Sequence, residues 1–448
     1  MLARSLYDGS ARLVSGIDVR SKGRKKRWLE PLKLLLAVQV LCLLLWGLTW
    51  PKPPPMMLSF VVPQDEVRPW QTVVTSFEKS HPNIRISLVS DPITGYTTDQ
   101  RKAIYTADFQ ADTAQYDLVY MDVVWPLQFA ERLRDLTPYL EKDGVDLSGF
   151  LTSEVAAGQL DGRRYRLPMR ADIGLLYYRQ DLLNQARREL PQTLRELAQV
   201  VNGLRPNTGY LWQGSRYEGL VANFVEVGDG FGGTWIEPTT GQVGLDTPAT
   251  VAAAELLQQL IQQGISPDEV ITYTEQDSLQ RFMEGQTVFL RGWPYFWAEL
   301  QRSDLAGKVA IAPPFSFSNG SGTGCRGGWG FGIPNNASHP DAAWEAIRYF
   351  TSAPAQKQFV LASGFLPSRS ALFQDPDIVA QYPQMPQMLA YLEDASIFRP
   401  LIEQYGAASE ILQTVLGDML RGQQSAKAAM EQAQAETEAL LQSQPVGG

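Results

Sequence analysis

The chain has 448 residues, with 39 basic against 48 acidic side chains, and that length exceeds what one small core needs and calls for at least two lobes. Nine basic and three acidic residues fall within the first 50, so the remainder is strongly acidic. An acidic body excludes a nucleic-acid binder, whose affinity depends on basic groups that displace counterions.

Residues 1–33 carry the basic cluster Lys22 to Arg27, and 34–50 are apolar apart from Gln39 and Thr49. Seventeen residues make roughly 26 Å of helix, the short end of a membrane span. Basic residues ahead of the span place 1–33 in the cytoplasm and the rest outside. The first reading is an uncleaved single-pass anchor in the cytoplasmic membrane, with the globular body in the periplasm or extracellular space. A cleaved signal peptide and a lipoprotein signal at Cys42 are the alternatives. Proline-rich 51–56 reads as a stiff spacer.

Beyond it, 57–62 reads as a strand, 70–80 as a helix and 84–89 as an alternating strand. That order suggests a parallel sheet wound by helices. Residues 116–121 form another short apolar strand, and 124–133 and 136–140 read as helical. Proline-initiated helices come next at 191–202 and 247–263, the second running into Gly264. A helix at 276–284 precedes strands at 288–290 and 309–312, and 315–328 is a Ser/Gly-rich crossing segment. Helices are expected at 340–352 and 355–361, with long helices through 408–441. The body is α/β. His81 and His339, each before a proline, read as loop residues, and no metal or other cofactor is expected. Residues 322–327 spell GxGxxG, but 329–334 read as a strand where a dinucleotide fingerprint needs a helix.

In 160–183, Arg170 and Asp172 interrupt what otherwise reads as a buried strand. Such a charge needs an internal partner or a polar cleft. The strings YDLVYMDVVWPLQFAERLRDLTPYL (116–140), LDGRRYRLPMRADIGLLYYRQDLL (160–183), LPQTLREL (190–197), LDTPATVAAAELLQQLI (245–261), SLQRFMEGQTVFLRGWPYFW (278–297), GGWGFGIPNNASHPDAAWEAIRYFTS (327–352) and FLPSR (365–369) occur in that order. Together they resemble the family 1 extracellular solute-binding proteins of ABC importers, of the maltodextrin-binding type. With TDQR at 98–101, they are most similar to its trehalose/maltose-binding branch. The resemblance implies a two-lobe clamp (type II) with hinge crossings near 171–175, 323–328 and 367–372. Residues 57–171 and 327–366 would form the N-lobe, and 172–326 and 367–448 the C-lobe.

It also implies a ligand site. Sugar hydroxyls need fixed acceptors and donors, and sugar C–H faces need flat apolar surface. The acceptors carried over are Glu66, Asp122 at a strand's carboxyl end, and Asp172, and the donors are Arg101 and Arg369. Arg170 stands where the branch more often has an aromatic residue, which leaves the sugar's identity open. Trp293 and Tyr295 are the stacking platform, with Trp329 a second wall and Tyr96 a further candidate. Gly327 and Gly328 would let backbone amides approach a hydroxyl.

The reading is a monomeric, membrane-tethered, non-enzymatic receptor. It would bind a disaccharide or glucosylglycerol and deliver it to permease subunits served by a separate ATPase, since no Walker motif is present. The rival is a secreted glycoside hydrolase using a pair among Glu66, Asp122 and Asp172. A sensory module is disfavoured by the short cytoplasmic stretch.

Overall fold

The computed structural model describes residues 54–443 apart from 92–95, 192–193, 205–207, 286 and 316–321, together with Leu35, Leu36, Val38 and Gln39 upstream. The chain from Pro55 onward is one compact unit. Most of the expected anchor at 34–50 and the first half of the spacer lie outside the described residues; the four described anchor positions are helical and exposed. Among the described residues no helix is long and apolar enough to cross a membrane.

The first lobe begins with β1 (Met56–Val61), α1 (Val67–Ser80) and β2 (Ile84–Val89), the two strands pairing in parallel as the strand–helix–strand order demands. Helix α2 (Thr98–Asp108) starts at a full capping box, in which Thr97 Oγ1 accepts from the Gln100 amide and Gln100 returns the bond to Thr97 N–H. This helix was not expected, because its mean hydropathy is low and its apolar stripe narrow. Tyr105 fastens it to the sheets: its hydroxyl accepts from the amides of Val61 and Tyr120.

The larger sheets are mixed and mostly antiparallel, so the expected parallel pairing is confined to β1 with β2 and to one parallel pair within each larger sheet. In the first lobe β3 (Val119–Asp122) and β4 (Leu167–Ile173) flank the long strand β9 (Gly324–Gly332), both antiparallel to it. The short strands β10 (Leu366–Pro367) and β11 (Ser396–Ile397) extend this sheet. The second lobe is built on β5 (Leu175–Arg179), β6 (Thr208–Leu211), β7 (Thr287–Gly292) and β8 (Val309–Ala312), in the order β8-β5-β7-β6. Its helices include α3 (Glu218–Gly230), α4 (Pro248–Gln262), α7 (Tyr405–Leu420) and α8 (Ala426–Gln442), which pack on one another. Antiparallel pairing is a consequence of the crossings: strands that run out to the other lobe and return meet their neighbours head to tail.

The first crossing is at Gly174, between β4 and β5, where a Cβ would strike the Glu226 carboxylate. The second joins β8 to β9. The third does not fall at 367–372. Residues after β10 stay on the first lobe: Lys357 holds Asp375 at 2.8 Å, Gln381 donates to the Leu361 carbonyl and Phe150 bridges to Arg369. Beyond β11 the chain enters the second lobe's helices α7 and α8. The first-lobe core centres on Phe60, Trp70, Tyr120 and Phe331, whose rings meet largely edge to face. The helices α5 (Pro340–Phe350) and α6 (Ala353–Ser363) cover them.

Candidate ligand-binding cleft

Strand register assembles the site. On β9, Trp329 lies opposite Asp122 of β3 on one side and Arg170 of β4 on the other, and Gly327 lies opposite Asp172. Three segments distant in sequence thus bring an indole, two carboxylates and a guanidinium together at one end of a sheet, the end where open α/β folds take ligands. Across the gap, β7 delivers Trp293 and Tyr295 from the second lobe. A cavity of about 490 Å³ lies between them, within the range of small-molecule sites. Every residue singled out from the sequence lines it except Gly328 and Arg369.

Those two have structural surroundings. A Cβ on Gly328 would meet the Glu154 carboxylate at 2.6 Å, so this glycine admits the fully buried Glu154–Arg166 ion pair behind the wall. Arg369 stacks on Phe150 at 3.9 Å and donates through Nε to the Thr351 carbonyl. In the FLPSR string it is Phe365, not Arg369, that reaches the cavity.

The lining carboxylates are engaged unequally. Glu66 is 1 % exposed, and both its oxygens are occupied: Oε1 accepts from Arg170 at 2.7 Å, and Oε2 from Trp70 Nε1 and the Tyr120 hydroxyl. Arg170 also donates to Tyr120 Oη, grips Asp172 Oδ2 and lies 4.1 Å over the Phe365 ring. Burial opposes the charge on Arg170, yet the Glu66 and Tyr120 oxygens around it raise its pKa above the usual guanidinium value. The effect is that Glu66 braces Arg170 and has no oxygen left over, while Asp172 keeps one, Oδ1, buried and without a partner. Arg101 lies 3.7 Å over the face of Trp329, and its Nε and Nη1 are buried without acceptors. Burial pulls its pKa down. A buried unsatisfied donor or acceptor costs roughly 1–3 kcal/mol, which a ligand bearing hydroxyls would recover.

Residues the sequence did not point to complete the lining. Arg399, from the segment after β11, donates to Asp122 Oδ1 at 2.8 Å and to Glu218 Oε1 at 2.6 Å, leaving its own Nε unpartnered. Burial raises the Glu218 pKa, with Arg399 working against it. Glu275 accepts from Trp293 Nε1 at 3.2 Å and from the Tyr217 hydroxyl at 2.6 Å, holding the indole in place from the cavity side. Arg291 lies 4.0 Å over the same indole. Gly327 lets β9 run close by: an added Cβ would sit 3.1 Å from Asp172 Cβ and 3.5 Å from the Trp293 ring. Asp65 lines the cleft, and desolvation by its walls, together with the neighbouring Glu66 charge, pushes its pKa up to about 6. Tyr96 also lines the cavity. Trp297, two residues past Tyr295, packs against the core. Among the described residues no cluster of His, Cys, Asp and Glu has the makings of a metal site.

The model of the family described as bacterial extracellular solute-binding protein matches residues 63–357. A probable ABC transporter-binding protein of Deinococcus radiodurans is 29% identical over 297 residues, covering 64% of this chain and 70% of that one. A maltotriose-binding protein of Pyrococcus abyssi is 27% identical over 265 residues, 57% of this chain and 55% of its own. Among solved structures, maltose-bound T. maritima MalE3 superposes with a TM-score of 0.80 at 30% identity, covering 86% of this chain and all of that chain.

Proposed function

This chain belongs to the bacterial extracellular solute-binding proteins, and from that premise we propose that it captures a small carbohydrate between its lobes and presents it to the permease of an ABC importer. The observation that carries the reading is the mismatch of the cavity's polar groups. Asp172 Oδ1, Arg101 Nε and Nη1 and Arg399 Nε are buried, lack partners and belong to residues of one cavity whose opposite wall is the Trp293–Tyr295 platform. A polyol supplies donors and acceptors on one edge and an apolar face on the other, which is the complement of this arrangement. Maltose, trehalose, sucrose and glucosylglycerol all have that character. The likeness to a maltotriose-binding protein and a maltose-bound structure supports the class.

The three carboxylates expected from the sequence to supply a glycosidase pair are tied to arginine, Glu66 and Asp172 to Arg170 and Asp122 to Arg399. None is set out as a proton donor, so binding without catalysis is the reading we adopt. The contacts proposed for the ligand are Asp172, Asp122, Arg101, Arg399, Trp293, Tyr295 and the Gly327 backbone, with Tyr96 at the margin. Glu66 and Arg170 act from behind them. Within this reading the N-terminal segment tethers the protein to the outer face of the cytoplasmic membrane.

Isothermal calorimetry of the purified protein against those four sugars tests the proposal. We expect saturable binding of at least one with Kd in the micromolar range, about −8 kcal/mol, and its loss in Asp172→Ala. Absence of binding across the panel, or monosaccharide release on incubation, would overturn it.

A further inference from the structure

Helix α3 opens the second lobe's share of the cleft, and its N-terminus has no side-chain cap from its own chain neighbourhood: Tyr217 at the N-cap position makes no capping bond. The first amide of the helix, Glu218 N–H, donates instead to Asp99 Oδ2 at 3.0 Å. Asp99 stands in the first turn of α2, which Tyr105 anchors to β1 and β3 of the first lobe. The cap of a second-lobe helix is therefore supplied by the first lobe. Asp99 has a neighbouring cation on its own helix, Lys102 at 3.8 Å.

The same Glu218 is held a second time. Its carboxylate takes Arg399 at 2.6 Å, and Arg399 takes Asp122 of the first lobe at 2.8 Å. The hydroxyls of Ser409 and Tyr405 on α7 also donate to it. Glu218 is thus gripped at its backbone by one first-lobe carboxylate and, through Arg399, at its side chain by another.

We propose that Asp99 is an interlobe latch, a positioning residue that caps α3 across the cleft and holds Glu218 and Arg399 in register, so that the lobes close in part before ligand arrives. When the lobes separate, the amide must trade a carboxylate cap at the positive end of the helix for water. Loss of such a cap corresponds to about a fivefold change in an equilibrium.

Spin labels on exposed positions of the two lobes, at Lys142→Cys and Gln262→Cys in a Cys42→Ser background of the full chain, report the interlobe distance without any sugar. The expected result is a short-distance population in the otherwise unaltered protein whose ratio to the long-distance population falls about fivefold in Asp99→Ala. Asp99→Asn should restore it, because asparagine caps as well as aspartate. Identical distributions for the unaltered protein and Asp99→Ala, no short-distance population at all, or an Asp99→Asn variant that behaves like alanine would overturn the latch. Since no ligand enters the measurement, its failure is separate from failure of the calorimetric assay.

Discussion

Arg170→Met removes a guanidinium while keeping an apolar stem over the Phe365 ring. The perturbation leaves Glu66, 1 % exposed, without the partner of its Oε1, and leaves Asp172 without a partner on either oxygen. Removing one member of a buried ion pair costs about 3–5 kcal/mol, mainly because the remaining charge stays desolvated. For a body of 55–448 the unfolding entropy is about 0.8 kcal/mol/K, so the midpoint should fall by about 4–6 °C. Differential scanning calorimetry of the purified variant reads this directly. Adding Glu66→Gln to the variant should recover part of the loss. The amide still accepts from Trp70 and Tyr120 but carries no charge, and the coupling between the two sites should be about 1–3 kcal/mol. A loss below about 1 kcal/mol for Arg170→Met, or strict additivity of the two changes, would refute the role of Glu66 as a brace.

Trp293→Ala should weaken sugar binding roughly 10- to 150-fold in calorimetry, the worth of burying one large side chain, while leaving the midpoint of the unliganded protein within a few degrees. Gly328→Ala forces a Cβ to within 2.6 Å of the Glu154 carboxylate and should destabilise by about 1–3 kcal/mol in urea titration. Arg369→Ala should cost stability through Phe150 and Thr351 yet change the sugar Kd less than twofold. Asp65 binds its proton more tightly folded than unfolded, so between the ordinary carboxylate pKa and about 6 the folded state holds a proton the unfolded chain releases. Stability should therefore decline as pH rises through that window, and Asp65→Asn should flatten the decline in thermal melts taken from pH 4 to 7.

The strands and the proline-started helices were legible because period and punctuation are local properties: β2 is observed at Ile84–Val89, and α4 begins at Pro248 behind a Thr247 cap. Helix α2 was missed because its apolar stripe is narrow, and α3 because all but one of its residues are buried and no amphipathic period survives. The charges at 170 and 172 stood out as residues at odds with an apolar strand, whereas the tryptophans at 293 and 329 were carried over from the family resemblance. What those charges do was beyond reach of any local pattern. Glu66 meets Arg170 across 104 residues, Arg399 meets Asp122 across 277, and nothing near position 399 marks it as a cavity residue.

Residue types and their order along the chain settle which segments become strands and helices, and which chemistry is on offer for a cleft. Whether a given carboxylate is spent inside the protein or left for a ligand depends on which guanidinium the sheet register sets beside it. The cost of burying charge is decided by those neighbours in space. Glu66 and Asp172 were both candidate acceptors in the sequence, and only the packing around Arg170 shows which of them keeps an oxygen without a partner.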